Sequence, residues 1–102
     1  MTEELESILS DLINVSSAAR NSYFNAIQAV KTGEGDPDVL VREGDGYFEQ
    51  ARRLHHDTLT LEGCGEDFRI TIFMVHVEDL MMCAETFRIL AQEFIEIYRR
   101  LK

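Results

Sequence analysis

The amino-acid sequence predicts an all-α protein, a three-helix antiparallel bundle, and three observations carry that expectation. Strand signals are weak: the chain has one proline, few alternating apolar runs, and a GDG at residues 44–46 without the alternating flanks of a hairpin. Two glycine-rich segments, TGEGDP (32–37) and EGCGED (62–67), cut the chain into three long pieces. Within each piece apolar residues recur at the helical period. The expected helices span about residues 3–31, 37–61 and 67–100, in one domain covering 1–102.

The first piece places Leu5, Ile8, Leu9, Leu12, Val15, Ala19, Tyr23, Ala26, Ile27 and Val30 on one face. Acids occupy its first turn and Lys31 its last, as the helix dipole favours. The run SSAA (16–19) presents small side chains that let a neighbouring backbone approach closely. The second piece opens with Asp36 as N-cap and Pro37 at the first helical position, then carries Leu40, Tyr47, Phe48, Ala51, Leu54 and Leu61 inward. Gly44 and Gly46 each cost a helix about 1 kcal/mol relative to alanine, and mark the place where a kink is expected.

The third piece has a 3-4 alternation through Ile70, Phe73, Val77, Leu80, Ala84, Phe87, Ala91, Phe94, Tyr98 and Leu101, read as one buried seam. A second set, Ile72, His76, Asp79, Cys83, Thr86, Leu90 and Ile97, lies on another face with Val75, Met82 and Ile89 beside it. Two partner helices cannot cover so much apolar circumference. The second face is therefore expected to meet other copies of the chain around a symmetry axis.

Composition limits what such a protein does. A length of 102 residues allows one domain with a modest core, and a net charge of -9 argues against nucleic acid and anionic lipid as partners. The acidic start MTEELESILSDL does not resemble a secretory signal, and no segment is apolar enough to cross a membrane, so a cytoplasmic protein is expected. Cys64 and Cys83 share no CxxC spacing and read as reduced thiols.

His76 and Asp79 are the informative polar residues, because i and i+3 on a helix leave in neighbouring directions and form a pair. Read without function, His76 is an interface histidine bonded to a carbonyl and Asp79 a register-setting polar residue. Asp79 near a symmetry axis crowds identical carboxylates, however, and that is costly unless protons or a cation offset the charge.

The stretches INVSSAARNSYFNAIQAVKTGEGD, QARRLHHDTL and ITIFMVHVEDLMMCAETFRILAQEFIEIYRRLK together resemble the IIA component of the lactose/cellobiose class of the bacterial sugar phosphotransferase system. The similarity runs over nearly the whole chain and is most specific at VHVEDLM, against the family's VHAQDHLM. The resemblance implies a homotrimer of three-helix subunits with helix three toward the axis. It also implies a histidine, here His76, that accepts a phosphoryl group from HPr and passes it to a cysteine of the IIB component, for disaccharide uptake through IIC. The aspartate three residues on, here Asp79, is implied to bind a Mg2+ ion shared by the three subunits.

This chain departs from the family motif. Glu78 replaces a glutamine and is expected to set a negative charge beside the incoming phosphoryl group, raising the basicity of His76 but slowing transfer. Leu80 replaces a second histidine, and Val15 stands in helix one where a histidine is usual. Arg20 is a candidate phosphate contact, although a surface arginine is the simpler reading. His55, His56 and Asp57 are adjacent on helix two, point apart and form no chelate, so they read as the rim of that helix. Met74, Met81 and Met82 read as core and interface filler. A divergent relative that keeps the trimer, transfers nothing and serves a regulatory or scaffold role is the alternative to a phosphocarrier.

Overall fold

The computed structural model of the chain describes residues 2–62 and 70–102; Cys64, Asp67 and the side chain of Leu61 lie outside the described residues. Three helices, α1 (Glu3–Thr32), α2 (Pro37–Glu62) and α3 (Ile72–Arg100), pack into a rod of about 57 × 17 × 16 Å. No strand occurs among the described residues.

Local chemistry explains most of the helix ends. Thr2 caps α1 by accepting a 3.1 Å hydrogen bond from the Leu5 N–H. Gly33 closes it in the left-handed region, φ 78°, with its N–H on the Ala29 carbonyl at 2.9 Å. At the start of α2, Asp36 Oδ1 accepts from the Asp38 N–H at 3.0 Å, and Pro37 takes the first helical position as expected. Gly44 and Gly46 do not interrupt α2. The third helix departs from the sequence-based start near Asp67: Ile70 and Thr71 are not helical, and Thr71 Oγ1 caps α3 by accepting from the Met74 N–H at 3.2 Å.

The core is three layers deep along the rod. At one end Leu5, Leu9 and Leu12 of α1 meet Ala51 of α2 and Met74 and Val77 of α3. The middle layer joins Ala19 and Tyr23 to Ala84 and Ala91, with Phe48 and Phe87 against them. At the far end Ala26 and Val30 pack with Ile95, flanked by Leu40 and Tyr98. This order makes α1 and α3 run the same way and α2 oppose both.

Ala19, Ala84 and Ala91 are fully buried, so small side chains bring α1 and α3 close together, as the SSAA run suggests. Gly44 does the same for α2, because a Cβ built there would lie 2.7 Å from Cε1 of the buried Tyr23 ring. The Tyr23 hydroxyl escapes that packing by donating a 2.6 Å bond to Asp45. Burial, and then the bond to Asp45, push the Tyr23 phenol well above its ordinary pKa.

The buried seam of α3 is not the one its heptads suggest. Val77, Ala84, Phe87, Ala91 and Tyr98 do pack inward as expected, but Met74, Met81 and Ile95 join them, each one residue later than the expected Phe73, Leu80 and Phe94, and Arg88 lies beside Phe87. Arg88 fits this stripe by laying its guanidinium over the Phe48 ring, 5.8 Å from the centroid, while pairing with Glu85 at 3.2 Å. Ile70, Phe73, Phe94 and Leu101 are exposed instead. The physical reason is that α3 packs chiefly on α1, which needs alanines at the crossing, so bulkier residues turn outward.

Candidate functional site

The second face of α3 is exposed along its length. Ile72 is 89% exposed and Met82 60%, and Val75, Ile89, Leu90 and Ile97 are exposed with them. Few single chains leave so long an apolar stripe bare. His76, Asp79 and Thr86 sit exposed within it, and Cys83 is half-buried.

The Thr71 cap fixes where His76 stands in the helix. With Ile72 as the first helical residue, His76 begins the second turn, and helical side chains lean toward the N-terminus. His76 therefore stands about one turn from the positive end of α3, the end at which a helix favours an anion. Asp79 follows at i+3 and makes no ion pair among the described residues. No group of three or more His, Cys, Asp or Glu side chains gathers as a metal site in one chain, again among the described residues.

Glu78 does not stand beside His76. Residues two apart leave a helix about 200° apart, and the Glu78 side chain turns to α2, where Oε1 accepts a 2.7 Å hydrogen bond from His55 Nε2. This pair corrects the sequence-based expectation for both residues. His55 is half-buried at the α2–α3 junction, whereas His56 and Asp57 are exposed, as a helix rim should be. Arg20 lies in the middle of α1 and donates to Asn21 at 3.4 Å, level with the Ala19–Ala84 layer and roughly 12 Å along α3 from His76. Met74 is buried, Met81 packs against the core, and Met82 lies on the bare stripe.

The family described as "PTS system, Lactose/Cellobiose specific IIA subunit" matches residues 7–99. The chain belongs to this IIA family. Among curated relatives, the IIA family member from Bacillus subtilis (strain 168) named lichenan-specific phosphotransferase enzyme IIA component is 32% identical over 103 residues, covering 99% of this chain and 93% of its own length. The cellobiose-specific EIIA component of Lactococcus lactis subsp. lactis (strain IL1403) is 31% identical over 111 residues, covering 100% of this chain and 96% of its own. In three dimensions the IIA fold is similar to the crystal structure of the cellobiose-specific enzyme IIA from Bacillus anthracis, with TM-score 0.89, 29% identity and coverage of 99% and 94% of the two chains. The protein is thus a IIA component of a phosphotransferase system, lactose/cellobiose class, and no described helix is long and apolar enough to cross a membrane.

Proposed function

We propose that this IIA protein is a cytoplasmic phosphocarrier that accepts a phosphoryl group from phospho-HPr on His76 and passes it to a cysteine of the IIB component. The observation that carries this reading is the family match over residues 7–99, whose motif histidine falls on His76 near the start of α3. In the first transfer the donor's P–N bond breaks as a P–N bond to an imidazole nitrogen of His76 forms, and the donor imidazole keeps the bonding pair. In the second, that new bond breaks as a P–S bond forms to the IIB thiolate. Bonds of similar kind are exchanged, so positioning and charge stabilisation suffice. IIB then phosphorylates a disaccharide of the lactose, cellobiose or chitobiose type as it enters through IIC; lactose and cellobiose are sugars named for relatives of this chain.

The working assembly is a homotrimer with the bare stripe of α3 toward its axis. Burying that stripe removes the apolar surface that the single chain exposes. Asp79, exposed and without an ion-pair partner among the described residues, then supplies one carboxylate per subunit to a shared Mg2+. Bound there, the ion offsets the mutual repulsion of the carboxylates.

The test is intact mass after incubation with phosphoenolpyruvate, enzyme I and HPr. Wild type gains a single phosphoryl group and His76→Ala gains none. Absence of added mass on wild type, with a donor that phosphorylates another IIA protein, overturns the carrier reading in favour of a regulatory or scaffold trimer.

A further inference from the structure

We propose that His55 is a positioning residue for His76: its hydrogen bond to Glu78 fixes the rotation of the first turns of α3, and with it the direction in which the imidazole of His76 leaves the helix. This rests on the phosphocarrier reading of His76.

The first two turns of α3 are weakly held. Only Met74 and Val77 are buried there, while Ile72, Phe73, Val75 and His76 are exposed. Apolar contacts of two side chains resist separation of the helices better than rotation about the helix axis, because they are not directional. A hydrogen bond is directional. Among the described residues α2 and α3 share two polar side-chain ties: Arg99 to Asp38 at 2.8 Å near one end of the rod, and His55 to Glu78 at 2.7 Å near the other. The second lies at the level of His76. Since Glu78 and His76 leave the helix on nearly opposite sides, holding the Glu78 carboxylate on α2 turns His76 away from α2 and onto the bare face. Glu78 can only accept from His55 as a carboxylate, and a glutamine could accept from the same nitrogen through its amide oxygen.

The experiment measures the rate of phosphoryl uptake from phospho-HPr across donor concentrations for wild type, His55→Ala, Glu78→Leu, the double variant and Glu78→Gln. Circular dichroism, thermal unfolding and sedimentation accompany each. Expected is an about tenfold lower rate at saturating donor for each single loss variant with KM unchanged, and no further loss in the double variant, because one bond is being removed. Glu78→Gln, which keeps the bond and drops the charge, restores the rate. Wild-type rates for His55→Ala or Glu78→Leu overturn the inference. So does a loss shared by Glu78→Gln, which assigns the effect to charge, or slowing that tracks lost helicity or assembly. If wild type itself accepts no phosphoryl group, the carrier reading fails first and separately.

Discussion

Tyr23 shows how single side chains set the packing of this rod. Its ring fills the space left by Gly44, and its hydroxyl reaches Asp45 one residue on. The two glycines of α2 should therefore respond oppositely to alanine. At Gly44 the methyl group meets the buried ring, and the overpacking cost of about 1–3 kcal/mol exceeds the gain in helix propensity. At Gly46, where nothing lies within 4 Å of an added Cβ, only the propensity gain of about 1 kcal/mol remains. Urea denaturation of Gly44→Ala and Gly46→Ala reads both signs. Tyr23 also makes an alkaline prediction. Its folded pKa is raised above the unfolded value, so its contribution is complete below about pH 10 and is lost as pH rises beyond that. Tyr23→Phe should remove that part of the alkaline slope, and an unchanged slope would point to other groups.

At the scale of the element, α3 is positioned by its apolar seam and started by its cap. The Thr71 hydroxyl satisfies the Met74 N–H, and Thr71→Ala should cost about 1 kcal/mol. The loss should be local, so hydrogen exchange of the first turn of α3 should quicken well before the middle layer around Ala84 responds. Equal acceleration throughout would mean that the cap supports the whole fold rather than the first turn of α3. Arg88 illustrates the other side of element design, since its stem and guanidinium cover Phe48 at a seam position where a heptad reading expects an apolar residue.

The whole molecule is an elongated chain with an apolar stripe of α3 open to solvent, the stripe assigned above to the proposed trimer interface. Placing a charge in that stripe should weaken self-association without unfolding the chain, because the residues are exposed in the single subunit. Met82→Glu and Ile89→Glu are expected to shift sedimentation toward the monomer while the helical circular dichroism signal persists. Unchanged assembly of both variants would exclude this face as the interface. Asp79→Asn removes the charge that a shared cation would balance. Its assembly should accordingly lose any dependence on Mg2+ and on chelator that wild type displays.

The sequence by itself determined the class and number of elements, two of the three helices to within about a residue, and the placing of His76 and Asp79 on a second, exposed face of α3. Those features follow from local chemistry: helical periodicity, the Asp36-Pro37 start, the glycine stop at Gly33 and the i, i+3 rule. Family membership was legible too, because VHVEDLM and the flanking stretches are specific. Tertiary structure alone decided which heptad positions of α3 face α1, that Gly44 yields to Tyr23 without breaking α2, and that Glu78 turns from His76 to His55. His55 and Glu78 stand 23 residues apart in sequence, and no local pattern links them. Periodicity states which residues share a face, but the face that wins burial depends on where the neighbouring helix needs small side chains and where a partner atom waits across the gap.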